Sequence, residues 1–273
     1  MATLTINNAY CGEGFNILLK TLCGNTPVGY VATNSPSAGA YRFNSDGTKI
    51  FSIQSTVSTT DIIIQHNLST PYDVTTISNS GVTLDISGKE SLPTDLDFSS
   101  DGLKLFITGY NSDSIHEYHM VDAWDISTAS FYQTKNISAI SATNRICTFA
   151  NSGSIVYLGT ESGGDSNVYK CNLSTPYDIS TLTYGGITFN FNAGDSRVWS
   201  FDISPDGKFA LVCGTGEDAV AQFNLSTPFD ITSASLHGMF TASSAPYSVE
   251  WKPDGSKFFV YKVNGEITCY TSQ

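Results

Sequence analysis

The sequence predicts an all-β fold: a ring of five four-stranded antiparallel sheets. Two interleaved phrases and a composition poor in helix formers predict it. The first phrase is Asn67-Leu68-Ser69-Thr70-Pro71-Tyr72-Asp73, which returns at 172–178 and, with Phe for Tyr, at 224–230. A diverged copy spans 119–125, so the closing Asp falls at 73, 125, 178 and 230. The second phrase is an apolar residue followed by a Gly turn: Phe43 to Gly47, Phe98 to Gly102, Phe149 to Gly153, Ile203 to Gly207 and Trp251 to Gly255. Two phrases sharing one period near fifty residues identify a propeller or a related array. Charged residues make up only 14% of the 273-residue chain, and its Ser, Thr, Asn and Gly suit strands and turns.

Residues 1–27 stand outside the repeat as a short N-terminal arm. Ala2–Ile6 alternates like a strand, and Phe15–Leu22 is apolar with a period that fits strand or helix. Two readings stay open: a flap packed on the domain, or an arm that docks it onto something larger. Residues 28–273 form the repeat domain. Strand a of each unit ends at the Gly turn. In Asp95-Leu96-Asp97-Phe98 the alternation puts Leu96 and Phe98 on one face and Asp97 on the other. Glycine recurs at the turn because the backbone there needs positive φ.

Strand b is an apolar run such as Lys104–Thr108 or Phe209–Cys213, as expected between two covering neighbours. Strand c ends at the Pro-aromatic-Asp phrase, where Pro cannot donate to a ladder and Ser, Thr and Asp bond local amides. Strand d falls near 81–87, 130–136, 187–192 and 235–241. The fifth unit has a, b and c, and an unassigned strand at Gly29–Thr33 precedes the first turn where a strand d belongs. Joining the two removes exposed edges. The expectation is a five-bladed β-propeller of four-stranded antiparallel blades, closed by an N-terminal strand that completes the last blade.

The Φ-x-x-Asp-Gly turns and apolar b strands resemble the lactonase-like and quinoprotein-like β-propeller superfamily over residues 28–273. The Leu-Ser-Thr-Pro-Tyr-Asp variant at 68–73 and 173–178 is similar to propeller repeats in virion proteins of tailed bacteriophages. The first resemblance implies ligand sites where the d–a and b–c loops gather at one channel mouth. The d–a entries supply Asp95, Arg145, Arg197 and Tyr247. The b–c loops supply Asp61, Asp113, Asp165, Glu217, Asp218 and Glu266, an acidic set that would suit Ca²⁺, with the four aspartates as its metal candidates, or else serve as turn formers. No other cofactor is expected. Asp95, Asn144 and Glu250 are the nearest candidates for a lactonase-like metal site.

Tyr72, Trp124, Tyr177 and Phe229 each precede the repeated Asp. They read either as a ring of exposed aromatics that binds sugar or protein, or as residues that each close their own turn. No HExxH, GxSxG or Walker sequence occurs. Three Asn-x-Ser sequons lie inside the repeated phrase and read as turn residues. The six cysteines read as small buried hydrophobes; Cys11 and Cys23 could pair, though nothing requires it.

A net charge of −12 disfavours nucleic acid and anionic membranes. The N-terminus shows neither a signal peptide nor a membrane span. These features point to a non-enzymatic binding or structural module. The expected place is a phage virion (tail, fibre or capsid decoration), contacting other virion proteins through residues 1–27 and a host-surface glycan or receptor elsewhere. The alternative is a lactonase-like or metal-dependent hydrolase at the channel mouth.

Overall fold

The computed structural model describes residues 21–25, 40–55, 61–162 and 165–271. Strand β1 (Thr21–Asn25) comes first in the chain and last in the ring. The first blade holds β2 (Tyr41–Phe43), β3 (Lys49–Gln54), β4 (Ile62–Leu68) and β5 (Ile77–Asp85). The second holds β6 (Pro93–Phe98), β7 (Lys104–Gly109), β8 (Ser114–His119) and β9 (Ser130–Asn136). The third holds β10 (Asn144–Ala150), β11 (Ile155–Ser162), β12 (Asp165–Leu173) and β13 (Leu182–Asn190). The fourth holds β14 (Val198–Ile203), β15 (Phe209–Gly214), β16 (Ala219–Leu225) and β17 (Ala234–Thr241). The fifth holds β18 (Pro246–Trp251), β19 (Lys257–Lys262) and β20 (Ile267–Thr271), with β1 as its outer strand. All pairings are antiparallel, so the five-bladed propeller closed by an N-terminal strand is the observed architecture.

The closing strand is not where the repeat count placed it. Thr21 faces Thr271 and Asn25 faces Thr268, so β1 lies inside the stretch read as the arm. Residues 29–33 fall outside the described ones. The count assumed a uniform d–a connection. Three such connections are alike (86–92, 137–143 and 191–197), but the one from β1 to β2 runs from 26 to 40.

Each pair of neighbouring blades shares one apolar cluster. Phe51 and Ile63 meet Leu96 and Ile107 between the first two blades. Phe106 and Ile115 meet Cys147 and Leu158 between the next two. Tyr157 and Val168 meet Phe201 and Val212, and Leu211 and Val220 meet Val249 and Phe258. Tyr41 and Ile50 meet Phe259 and Tyr261 across the closure. Strand b is sealed on both faces, which explains its unbroken apolar run. Cys147, Cys171 and Cys213 are buried free thiols, as expected of small apolar fillers. Cys269 departs from that expectation, because it is disulfide-bonded.

The two repeated phrases occur together because they touch. Gly47, Gly102, Gly153 and Gly207 have φ between 72° and 82°. They lie directly under the rings of Tyr72, Trp124, Tyr177 and Phe229, and a methyl on any of them would overlap its ring. The backbone N–H of each aromatic residue donates to the carbonyl of its glycine at 2.9–3.0 Å. The aromatics themselves have φ of 55–61°, an uncommon conformation for bulky residues. The next residue restores order: the side chains of Asp73, Asp125, Asp178 and Asp230 accept N–H bonds from Thr75, Ser127, Ser180 and Thr232 and start a short 3₁₀ turn. The same aromatic carbonyls tie blades together. Lys49 Nζ donates to the Trp124 carbonyl at 2.7 Å, Lys104 Nζ to that of Tyr177 at 2.8 Å, and Tyr157 OH to that of Phe229 at 2.9 Å.

Candidate functional site: the channel wall and its mouths

Strands β2, β6, β10, β14 and β18 each end their sheet, so each has an edge without a partner strand. A buried unpaired N–H costs as much as a lost hydrogen bond. The sequence meets this cost with one register position, the residue before the apolar start of each Gly-turn phrase. It holds Arg42, Asp97, Thr148, Asp202 and Glu250. Asp97 accepts the Phe149 N–H of the next blade at 2.7 Å, Asp202 accepts that of Trp251 at 2.7 Å, and Glu250 accepts that of Phe43 at 3.0 Å. Thr148 Oγ1 donates to the Phe201 carbonyl at 2.7 Å. Two residues earlier the pattern repeats: Asp95 accepts the Cys147 N–H at 2.8 Å, and Ser200 Oγ accepts that of Val249 at 3.2 Å.

One guanidinium serves this girdle. Arg42 Nη2 lies 3.5 Å from Asp95 and Nε lies 3.7 Å from Asp97. Burial disfavours ionised carboxyls. It lifts Asp202 to about 7 and Asp95 to about 6, and Arg42 offsets part of each rise. Asp97 is raised and Glu250 is raised well above the usual range for the same reason, again with Arg42 opposing. At the Gly-turn end the girdle floors a cavity of about 460 Å³, walled by Phe149, Tyr177, Phe229 and Trp251.

Asp95, expected at a ligand mouth, is therefore a buried blade-to-blade contact. Asn144 is buried too; its Nδ2 donates to Thr108 Oγ1 and the Ile146 carbonyl, and its Oδ1 accepts from Gly159 N–H. At the loop end, Arg145 and Tyr247 come together through a residue the sequence reading had not picked for a site. The Arg145 guanidinium lies 4.4 Å from the Trp199 ring and 5.3 Å from Tyr110, and Trp199 packs on Tyr247 at 4.7 Å. Arg145, Trp199 and Tyr247 occupy the same register position of three successive inner strands, four before the apolar residue of the phrase, so alignment of the repeats would have found Trp199. Arg197 is exposed, and its N–H is held by Asp195 at 2.8 Å.

The b–c loop acids are spread around the ring. Asp61 accepts from Ser55, Asp113 accepts the Thr143 N–H at 2.8 Å, and the backbone carbonyls of Asp61, Asp113 and Asp218 each receive an N–H from the end of strand d. The Asp165 side chain lies outside the described ones. Among the described residues no group of three or more His, Cys, Asp or Glu is placed to hold a metal. Two acids that the sequence reading passed over organise these loops instead. Asp195, 1% exposed, takes N–H bonds from Arg197, Gly216, Glu217 and Ala219. Glu90, equally buried, takes those of Leu92 and Ser112. Tyr72, Trp124, Tyr177 and Phe229 are half-buried, each closing its own turn.

No family model matches the chain, and no curated protein matches it. Similar solved structures include a functionally unknown protein from Desulfotomaculum acetoxidans, with 15% identity and a TM-score of 0.49 over 84% of this chain and 68% of that one. Another is a chain of a mitotic checkpoint complex, with 15% identity and a TM-score of 0.48 over 83% of this chain. This chain spans 62% of that one's length. Likeness of this degree carries no functional argument. No helix among the described residues is long and apolar enough to cross a membrane.

Proposed function

We propose that the propeller is a non-catalytic binding or structural module, displayed on a tailed-bacteriophage particle as part of a tail, fibre or capsid decoration. The supporting observation is the fate of the channel carboxylates. Asp95, Asp97, Asp202 and Glu250 each accept a neighbouring blade's N–H, so the groups a hydrolase would aim at substrate hold the ring together. Recognition then falls to the mouths and the rim. At the loop end the half-buried Arg145 and Trp199, backed by the buried Tyr247, offer aromatic surface and a cation, with Arg197 exposed nearby in sequence. This combination suits a host-surface glycan or receptor. On the opposite side the outward faces of Tyr72, Trp124, Tyr177 and Phe229 serve the same end, and residues 1–27 dock the module onto other virion proteins.

The test is incorporation. Particles assembled with the full chain should carry it, and particles assembled with a chain lacking residues 1–20, which spares β1, should not. Equal incorporation refutes the docking role. Hydrolysis of lactones or phosphoesters by purified protein, abolished by Glu250→Gln, would overturn the non-catalytic reading.

A further inference from the structure

The strand that closes the ring carries a cysteine where its register slips. Leu22 of β1 faces Tyr270 of β20, and Gly24 faces Cys269. Cys23 is the extra residue between them, so Cys23 and Gly24 share Cys269 as their opposite. Cys269 is disulfide-bonded. Cys147, Cys171 and Cys213 are free thiols, which leaves Cys11 and Cys23 as the partners the chain can offer. Cys11 lies outside the described residues. Directly opposed Cα atoms of antiparallel strands are about 4.5–5.5 Å apart, inside the span of roughly 4.4–6.8 Å that a disulfide bridges. Cys269 is 2% exposed and belongs to the apolar cluster that joins the fifth blade to the first, with Tyr41, Ile50, Leu68 and Phe259.

We propose that Cys23 and Cys269 form this disulfide, and that it is a redox-sensitive clasp on the one blade assembled from both ends of the chain. The pairing of β1 with β20 gains most from a covalent lock. Strands β5, β9, β13 and β17 each follow their partner strand after a short connection, whereas nearly the whole chain lies between β1 and β20. The entropy lost in closing a loop grows with its length. An outer strand that peels away also leaves the edge of β20 open to another chain. The bond removes the closure cost from each such opening. Forming it takes two electrons and two protons from the two thiols. A low-molecular-weight disulfide, such as oxidised glutathione, accepts them and leaves as two thiols. Reduction runs the same exchange backwards, and burial of Cys269 keeps a reductant out until β1 opens. The clasp does not depend on where the propeller is displayed or what it binds.

The full chain is equilibrated with oxidised glutathione, blocked with N-ethylmaleimide in urea, digested with trypsin without reductant and mapped by mass spectrometry. Cleavage after Lys20, Arg42 and Lys262 puts Cys11, Cys23 and Cys269 on three different peptides. Expected is a crosslink between peptides 21–42 and 263–273 that a reductant splits, with Cys11 blocked on peptide 1–20. A crosslink from peptide 1–20 to either of the others, or a blocked Cys269, overturns the assignment.

The role of the bond is read from Cys23→Ala, Cys269→Ala and the two together. Each should lower the melting temperature by about 5–10 °C and speed hydrogen exchange in β1 and β20 by about tenfold or more. The three losses should be nearly the same, because each variant breaks the same bond, and Cys11→Ala should change neither measurement. A double variant that loses clearly more than either single one, or exchange in β1 that none of them alters, overturns the clasp even where the crosslink is found. Should a variant fail to fold, exchange in β1 is compared on the unaltered chain before and after reduction, and no change on reduction overturns the clasp equally. None of these results bears on particle incorporation, so failure here leaves the broader reading standing.

Discussion

Gly153→Ala tests whether contact between the two phrases holds each blade together. Two costs combine. A non-glycine residue in the left-handed region loses about 1–2 kcal/mol. The new methyl also overlaps the Tyr177 ring, so the ring must leave. A fully buried aromatic truncated to Ala costs about 3–5 kcal/mol, and for a half-buried ring we take about 2. Gly153→Ala should therefore cost about 3–4 kcal/mol. Gly186→Ala, exposed in the same blade with φ 81° and nothing within 4 Å of an added methyl, should cost only the first part, about 1–2 kcal/mol. Tyr177→Ala alone should cost about 2 kcal/mol. The double variant should cost little more than Gly153→Ala, because the ring cannot be lost twice; the shortfall from additivity is about 2 kcal/mol. Urea denaturation followed by circular dichroism measures all four. Equal costs for Gly153→Ala and Gly186→Ala, or additivity of the double variant within about 0.5 kcal/mol, would refute the contact as the reason the phrases travel together.

Lys104→Met should cost about 3–5 kcal/mol by urea denaturation. It removes the cation 3.1 Å from the fully buried Glu117 and the donor to the Tyr177 carbonyl, and adding Glu117→Gln should recover part of the loss. Asp97→Ala leaves the Phe149 N–H without its acceptor and should cost about 1–3 kcal/mol more than Asp97→Asn, which keeps an acceptor oxygen; equal melting of the two variants would remove the edge-capping role. Stability should also fall as pH rises from 5 to 8. Asp202 at about 7 and Asp95 at about 6 both lie above their ordinary 3.8, so their contribution is full below about pH 4 and is lost through pH 6–7. Asp125 and Asp178, lowered by hydrogen bonds from Ser127 and Ser180, act in the opposite sense and lose theirs below about pH 4. Thermal melts should therefore peak near pH 4–5, Asp202→Asn should flatten the alkaline limb, and a melting temperature rising steadily to pH 8 would refute the assignment.

Much of the fold was readable because the repeat is also a contact. Spacing alone placed the Gly turns, the b strands and the Pro-aromatic-Asp turns, since the backbone at each imposes a residue type. The closing strand was misplaced because nothing in a repeat fixes the length of the one connection that lies outside it. The site was harder to read. Asp95, Arg145 and Tyr247 were chosen by position along strand a, which finds the channel wall but not what each side chain bonds. Whether a carboxylate faces a ligand or a neighbour's N–H depends on the next blade, some fifty residues away. Trp199 was passed over because the inner strands were not aligned with one another, which would have shown it as the fourth-blade equivalent of Arg145.

The girdle explains why the inner strands tolerate such unlike residues at one position. Arg42, Asp97, Thr148, Asp202 and Glu250 share no charge or size, yet each reaches the adjoining blade. An edge strand offers carbonyls and N–H groups in alternation. Acceptors suffice where an N–H is exposed, as at Phe149, Trp251 and Phe43, and a hydroxyl suffices where a carbonyl is, as at Phe201. Three carboxylates on such a ring, with Asp95 behind them, would repel one another. The single arginine stands between Glu250 and Asp97 in the order of blades and pairs with both acids of the second blade. Replacing Arg42 by Met should therefore harm stability more at pH 8 than at pH 5, where the raised carboxyls take up protons and need no counter-charge. An equal loss at both pH values would show that the arginine contributes packing and not charge.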